Sequence, residues 1–410
     1  MFLKNDKSKA SAVSVGRSAF GALFFVVFLD NLGFAIVVPY LFFYVIALGG
    51  STLLYGVLLA SYSLMSFIST PLVARFSDRV GRRKILLAAL AISSISYFIF
   101  GSAHAIWLLF IGRMLSGTTA ATVPVAQAYV ADVTTPNQRL RYLGLLGAAA
   151  GIAFVLGPAI GGVLSHLFGY GIPSFLASAL AFANLVVAYF RLPEPTSFNI
   201  NRSVISFGAL MHILRTRKIA LLFSIYFMFF VAFVFMQSAL SPWLQKVLGF
   251  GSLQTGLIFF LVGGIVVFTQ VVLLPLLNKK YNELRLTMYS ILILAIALIA
   301  LAEVQNLPSL LVVIAVFSFG FGIPYVTINT LISLNTPKNA QGGVLGIAWA
   351  IVGLAQTISP VLAASFFSFG VASNFNGLVF LVSAAISITI LPLIFYFKKF
   401  QNKRTTTKNC

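Results

Sequence analysis

The stretch Ala74-Arg75-Phe76-Ser77-Asp78-Arg79-Val80-Gly81-Arg82-Arg83-Lys84 lies between two long apolar runs, 54–74 and 85–103. Five of its residues are basic, one is acidic and one is glycine. About 20 apolar residues suffice to cross a hydrocarbon core, and lysine and arginine gather on cytoplasmic loops. The stretch therefore reads as a cytoplasmic turn between two membrane-crossing helices. Gly81 permits the turn, and Asp78 is the only local counter-charge for arginines able to hold carboxylates bidentately.

Working outward, hydropathy places twelve spans near 18–46, 54–74, 85–103, 107–131, 142–165, 173–192, 219–240, 254–277, 286–302, 309–331, 342–368 and 377–397. They are numbered 1 to 12 below. Composition agrees: the 410 residues are 60% apolar and 8% charged, where a soluble domain carries roughly 25% charged residues. The expected class is an all-α integral membrane protein. A net charge of +20 invites a nucleic-acid partner, yet 25 of the 27 lysines and arginines fall on one side of the twelve spans. Only Lys246 lies on the other side, and Arg113 lies within span 4. The charge is topology, with both termini in the cytoplasm and the chain in the plasma membrane. No nucleic acid is expected. Span 1 follows a basic stretch as a secretory leader does, but it is too long and lacks a small-residue cleavage site, so it reads as a retained helix.

The polar stretch 193–218, with Pro193, Pro195, Arg202, Arg215 and Arg217, divides the spans six and six. This gives an N-terminal bundle, 1–192, with a cytoplasmic tail over 1–17; a linker, 193–218; a C-terminal bundle, 219–397; and a tail, 398–410, disordered from Gln401. The halves repeat. Leu54-Tyr55-Gly56 matches Gln254-Thr255-Gly256 at an offset of 200, Thr135-Pro136-Asn137 matches Thr336-Pro337-Lys338 at 201, and Gly144 and Pro158 match Gly346 and Pro360 at 202. A half-length repeat in one membrane orientation implies two pseudo-symmetric six-helix bundles around a central cavity, a plan that moves solutes by rocking.

Four further patterns carry chemistry. Asp30, in Asp30-Asn31-Leu32-Gly33-Phe34, lies about 18 Å into span 1, and it is the only acid deep within any span. An ionised, unpaired carboxylate there costs several kcal/mol, so Asp30 should take up a proton, pair with Arg113, or alternate between the two. Arg113 sits about 9 Å inside span 4, and steps of four and three lead from it to Gly117, Ala120, Pro124 and Gln127 on one face. Such a guanidinium needs a partner or a water-filled cavity. Span 5 holds Gly144, Ala153, Gly157, Pro158, Gly161 and Gly162, small residues that let backbones pack closely beside a proline bend. At the inner end of span 4 stands Asp132.

These residues together resemble the major facilitator superfamily, in its twelve-span drug:proton antiporter branch. The turn resembles the signature G-x-L-S-D-R-x-G-R-R, with Ala74 and Phe76 as departures. Span 4 resembles the R-x-x-x-G motif, span 1 the D-x-x-G…P motif ending at Pro39, and span 5 the antiporter motif G-x8-G-x3-G-P-x2-G-G with Ala153 substituted. The resemblance is densest from Asp30 to Glu194. It implies a gating turn of Asp78, Arg79, Gly81, Arg82 and Arg83, with Asp132 pairing with Arg82, that holds the inner side closed and faces the start of span 11. It implies proton coupling at Asp30 and Arg113, a substrate cavity touched by Asn31, Phe34, Gly117 and Gln127, and a monomer that binds protons and a small molecule within the bilayer.

In the second half, polarity within apolar spans nominates Tyr226, Gln237, Gln270, Tyr325, Asn329, Trp349 and Gln356, a set whose aromatics suit an apolar ligand. Cys410 is the only cysteine, and His104, His166 and His212 are far apart in order, so no disulfide, metal or cofactor is expected. No nucleophile–base set or phosphate-cradling loop is present, which argues against an enzyme and against direct ATP drive. The leading expectation is proton-coupled export of a hydrophobic, drug-like molecule. A sugar or metabolite carrier of the same fold and a non-transporting sensor are the alternatives.

Overall fold

The computed structural model describes residues 17–134, 136–194, 216–337 and 340–406. Most of the expected linker and the N-terminal tail lie outside these, as do Thr135 and Lys338 of the repeat. The described residues form helices and short connections. Twelve helices are long and apolar enough to cross a membrane: spans 1 to 6 are Phe20–Val37, Thr52–Val80, Arg82–Gly101, Ile106–Val133, Arg141–Phe168 and Gly171–Arg191, and spans 7 to 12 are Arg217–Leu248, Ser252–Asn278, Glu283–Ala302, Leu307–Leu334, Gly343–Ala372 and Leu378–Lys399. Nearly all described basic side chains cluster on the face where span 2 ends and span 3 begins, called the basic face here.

Several boundaries differ from the hydropathy reading, each for a local reason. Span 1 stops at Val37 and a short helix, Leu41–Ala47, follows, because Pro39 offers no N–H to continue the ladder. Span 2 continues through the stretch expected to be a turn, as far as Val80. Gly81 alone makes the turn, at φ +115°, a conformation side chains disfavour. Span 4 is two helices, Ile106–Thr118 and Thr122–Val133, so the single face expected from Arg113 to Gln127 is interrupted. The hydroxyls of Ser116, Thr119 and Thr122 bond back to the carbonyls of Arg113, Ser116 and Thr119 at 3.0, 2.8 and 2.8 Å, a pattern that bends helices. Span 8 contains a π turn at Thr269–Leu273. The last helix continues to Thr406, into the tail expected to be disordered.

Packing follows the repeat. Span 1 packs on 5 and 6, span 3 on 6 and 4, and span 2 on 4; correspondingly span 7 packs on 11 and 12, span 9 on 12 and 10, and span 8 on 10. The halves meet chiefly where span 2 crosses 11 and span 5 crosses 8, which the repeat makes equivalent. The equivalence extends to residues. A β-carbon on Gly56 would stand 2.6 Å from the Pro360 carbonyl oxygen and 2.7 Å from Ala364 Cβ. One on Gly256 would stand 2.5 Å from the Pro158 carbonyl oxygen and 2.9 Å from Gly162 Cα.

These crossings close the face opposite the basic one, and the halves diverge from there. At 3.6 residues per turn, Gly144 and Gly162 share one face of span 5, as Gly346 and Ala364 share one face of span 11. Gly162 and Ala364 touch the other half, whereas nothing lies within 4 Å of a β-carbon on Gly144 or Gly346. The molecule is therefore open toward the basic face. The cores differ between halves. The second half has one large buried cluster from Ile219 to Phe397 and a small one of Leu274, Leu286 and Ile323 near the basic face. In the first half, one cluster around Ile36, Tyr55 and Leu109 is separate from another around Val26, Leu86 and Val125. The gap falls at the level of Asp30 and Arg113.

Candidate functional site

Arg113 is 2% exposed, which excludes a side chain snorkelling to the surface. Its guanidinium carbon stands 5.3 Å from the Phe34 ring centre and 4.8 Å from that of Tyr62, and the two rings are 5.0 Å apart. Desolvated cation–π contacts of this kind contribute about 2 kcal/mol. The Nε atom has no hydrogen-bond partner. Asp30 is partly buried and makes no ion pair; the two described carboxylate pairs are both at Arg82. Of the alternatives open to Asp30, the pair with Arg113 is not formed in this state.

The motif glycines explain the arrangement. A β-carbon on Gly117 would stand 2.6 Å from the Tyr62 carbonyl oxygen and 2.8 Å from Met65 Cβ, so glycine brings span 4 against span 2 where Tyr62 projects. A β-carbon on Gly33 would stand 2.9 Å from the Tyr97 ring. The D-x-x-G and R-x-x-x-G spacings therefore admit two tyrosines, one from span 2 and one from span 3. The Thr122 hydroxyl, at the break in span 4, stands beside the Asp30 carboxyl. Asn31 donates its amide to the Val27 carbonyl of its own helix at 2.7 Å, and Gln127 is exposed.

At the basic face, Arg82 is buried and pairs with Asp78, while its Nε donates to Asp132 Oδ2 at 3.2 Å. Its NH1 donates to Ser77 Oγ at 2.5 Å. Arg83 donates to the Tyr189 carbonyl at 2.7 Å, and its backbone N–H faces Glu194 at 3.4 Å. Arg79 is exposed. All three members of the Asp78–Arg82–Asp132 cluster belong to spans 2, 3 and 4. Their pairing braces one half and is compatible with an open basic face.

The span 5 motif divides its work between two neighbours. Gly157 lies on Ala35 and Gly161 on the Ile36 backbone of span 1, while Pro158 and Gly162 meet span 8. Ala153 is fully buried. Gly144 lies against open space.

In the second half the Asn329 amide donates to the Tyr226 hydroxyl at 2.8 Å and to the Tyr325 carbonyl at 3.0 Å. Phe233 stacks on Phe321 at 4.0 Å, and Phe230 and Tyr325 complete an aromatic wall at 6.0 Å. A cavity of ≈ 470 Å³ between spans 10 and 11 is lined by Tyr325, Asn329, Ser333 and Trp349. Gln237 and Gln356 are partly buried outside it. Gln270, on the π turn, donates to the Gly322 carbonyl at 3.4 Å. Among the described residues no group of three His, Cys, Asp or Glu side chains is placed to hold a metal.

Sequence reasoning passed over Tyr62, Tyr97, Thr122 and the Phe233–Phe321 stack. The available signal was Tyr55 and Tyr62, seven apart on one face of an apolar span.

The sequence pattern of the Major Facilitator Superfamily matches residues 23–360. The chain belongs to the major facilitator superfamily. Its sequence is 28% identical over 345 residues to the class C tetracycline resistance protein of Escherichia coli, covering 83% of this chain and 86% of that one. It is 26% identical over 378 residues to multidrug resistance protein 2 of Bacillus subtilis, covering 89% and 92%. In fold it is similar to an inward-facing, occupied bacterial homologue of the human lysosomal transporter Spinster, with a TM-score of 0.79 at 15% identity over 93% of this chain and 96% of that one. The superfamily fold thus accounts for the twelve spans and the paired crossings, and membership makes the protein a multi-pass membrane transporter.

Proposed function

We propose that this transporter exports a hydrophobic, drug-like molecule in exchange for protons, acting as a monomer in the plasma membrane with both termini in the cytoplasm. The bundles 1–192 and 219–397 rock about the crossings of spans 2 with 11 and 5 with 8, and the open basic face is the cytoplasmic one. The observation that carries this reading is Asp30: the one acid deep in the spans, free of any ion pair, and set at the break in the N-terminal core. A carboxyl in that position gains and loses a proton without breaking a salt bridge. The names of the relatives, tetracycline and multidrug resistance proteins, support the substrate class. The aromatic wall of spans 7 and 10 provides apolar contact for such a substrate.

In the cycle, Asp30 takes a proton from the outer side and substrate leaves. The halves then close outside, and Asp30 returns the proton to the cytoplasm as new substrate enters. The Asp78–Arg82–Asp132 cluster braces the basic-face end of the first half throughout. A second reading rests on the Tyr226–Asn329 pair beside the cavity, which offers hydrogen bonds to a hydroxylated solute; it makes the protein a sugar or metabolite carrier. Substrate-evoked proton movement in proteoliposomes, with tetraphenylphosphonium, ethidium, tetracycline and a set of sugars, separates the two. Proton flux with a lipophilic compound, lost in Asp30→Asn, is expected. Solute movement indifferent to Asp30 would contradict the coupling.

A further inference from the structure

We propose that Phe34 and Tyr62 form an aromatic clamp that holds Arg113 away from Asp30, so that Asp30 stays available to protons while the basic face is open. This rests on the reading of Asp30 as the proton site and deepens it. Both residues come from the same half, on spans 1 and 4, and oppositely charged groups in a medium of low dielectric attract strongly. Their failure to pair therefore needs a cause.

The geometry supplies one. The Arg113 guanidinium lies over both rings, at 5.3 Å and 4.8 Å, and the rings pack on each other. Gly117 sets the distance between spans 4 and 2 so that Tyr62 reaches over the guanidinium. The Nε atom is left without a hydrogen bond in a side chain 2% exposed, as expected of a cation held by ring faces and not by acceptors. Phe34 sits one helical turn after Asp30 on the same side of span 1, so the ring that holds Arg113 is borne on the helix that carries the acid.

The groups around Asp30 come from every element packed on span 1. Span 4 brings the Thr122 hydroxyl beside Asp30 and, over the Phe34 ring one turn further along span 1, the Arg113 guanidinium; span 3 brings the Tyr97 phenol, which both charges face. Span 2, behind the clamp, brings the Tyr62 phenol. Spans 5 and 6 bring Tyr142, stacked on Phe20 at 3.7 Å, and Asn184, bonded to the Val26 carbonyl at 3.3 Å, both at least a turn away along span 1. Arg113 is the one cation among them. Removing the clamp therefore frees it to pair with Asp30, which favours the carboxylate and demands more acid to protonate it.

Tyr62 is a positioning residue, and infrared titration of the protonated Asp30 carbonyl band in lipid-reconstituted full-length protein reads its action directly. Asp30→Asn identifies the band. Tyr62→Leu is expected to move the midpoint of protonation to lower pH, with about a tenfold loss of proton affinity, and Phe34→Leu to do the same. Tyr62→Phe keeps the ring face and the native midpoint. In Tyr62→Leu/Arg113→Gln the cation is gone and the acid shift disappears, which separates release of Arg113 from general disturbance of packing. Should Tyr62→Leu prove too unstable to titrate, Phe34→Leu and its Arg113→Gln partner variant carry the same comparison. A native midpoint in either leucine variant, or an equal shift with Arg113 removed, would overturn the clamp. Loss of substrate-evoked proton flux in the native protein would instead overturn the exporter reading, so the two failures are distinguishable.

Discussion

The two halves share a helix order and a packing plan, yet their interiors differ. The second half buries one large apolar core, with a small separate cluster of Leu274, Leu286 and Ile323, and stacks Phe233 on Phe321. In the first half a polar layer of Asp30, Arg113, Tyr62 and Thr122 falls between two apolar clusters, one of which carries Tyr97. A charge inside a membrane protein is expensive to keep and is retained where it works. On the proposed function, the proton belongs to the first half and much of the substrate contact to the second.

The largest expected effect tests that division. Asp30→Asn should reduce proton-driven exchange by at least about 100-fold while substrate binding, measured by isothermal titration, survives. Aromatic substitutions in the second half should leave the number of protons moved per substrate unchanged. If a second-half variant alters that number, the division of labour fails.

The next effect concerns the crossings that join the halves. Gly256→Leu places side-chain atoms against the Pro158–Gly162 backbone, and overpacking of this kind costs about 1–3 kcal/mol. Gly144→Ala, facing open space on the helix face it shares with Gly162, should stay within about 0.5 kcal/mol. Thermal unfolding of the two variants side by side checks the contrast, and equal destabilisation would remove the distinction between a closed and an open end of span 5.

The turns after spans 2 and 8 give a smaller comparison. Arg82 is buried between Asp78 and Asp132, so Arg82→Gln should cost about 1–3 kcal/mol. Arg285, exposed after the corresponding turn of the second half, should tolerate alanine within about 0.5 kcal/mol. The smallest change is expected from Phe321→Leu, which breaks the stack on Phe233 and should weaken binding of a lipophilic cation by about 0.5–1.5 kcal/mol, read as a rise in its Kd with unchanged coupling.

Much of the fold was legible because a membrane imposes one dominant pattern. Every span needs about 20 apolar residues, and the basic residues between spans report their orientation. The helix ends were less legible: the Ala74–Val80 stretch looks like a loop by charge but is helical, since arginine and aspartate at a membrane surface do not stop a helix and only Gly81, at φ +115°, turns the chain. The break in span 4 was likewise missed, although Pro124 signals it: proline has no N–H for the Ala120 carbonyl, and the threonines of the same turn bond back to carbonyls. At the site, Asp30 and Arg113 stood out as charges among apolar residues. Tyr62 and Tyr97 did not, because aromatics are common in apolar helices and only Gly117 and Gly33, read in three dimensions, show where those rings are admitted.

The most direct test of the central claim is proton release on substrate binding. Purified protein in lipid nanodiscs, in lightly buffered solution near neutral pH, is titrated with tetraphenylphosphonium while a pH indicator and bound ligand are followed together. The account predicts that the native protein releases a proton as ligand binds, and that Asp30→Asn binds ligand and releases none. Ligand-linked proton release that persists in Asp30→Asn would contradict the assignment of the proton to the first half.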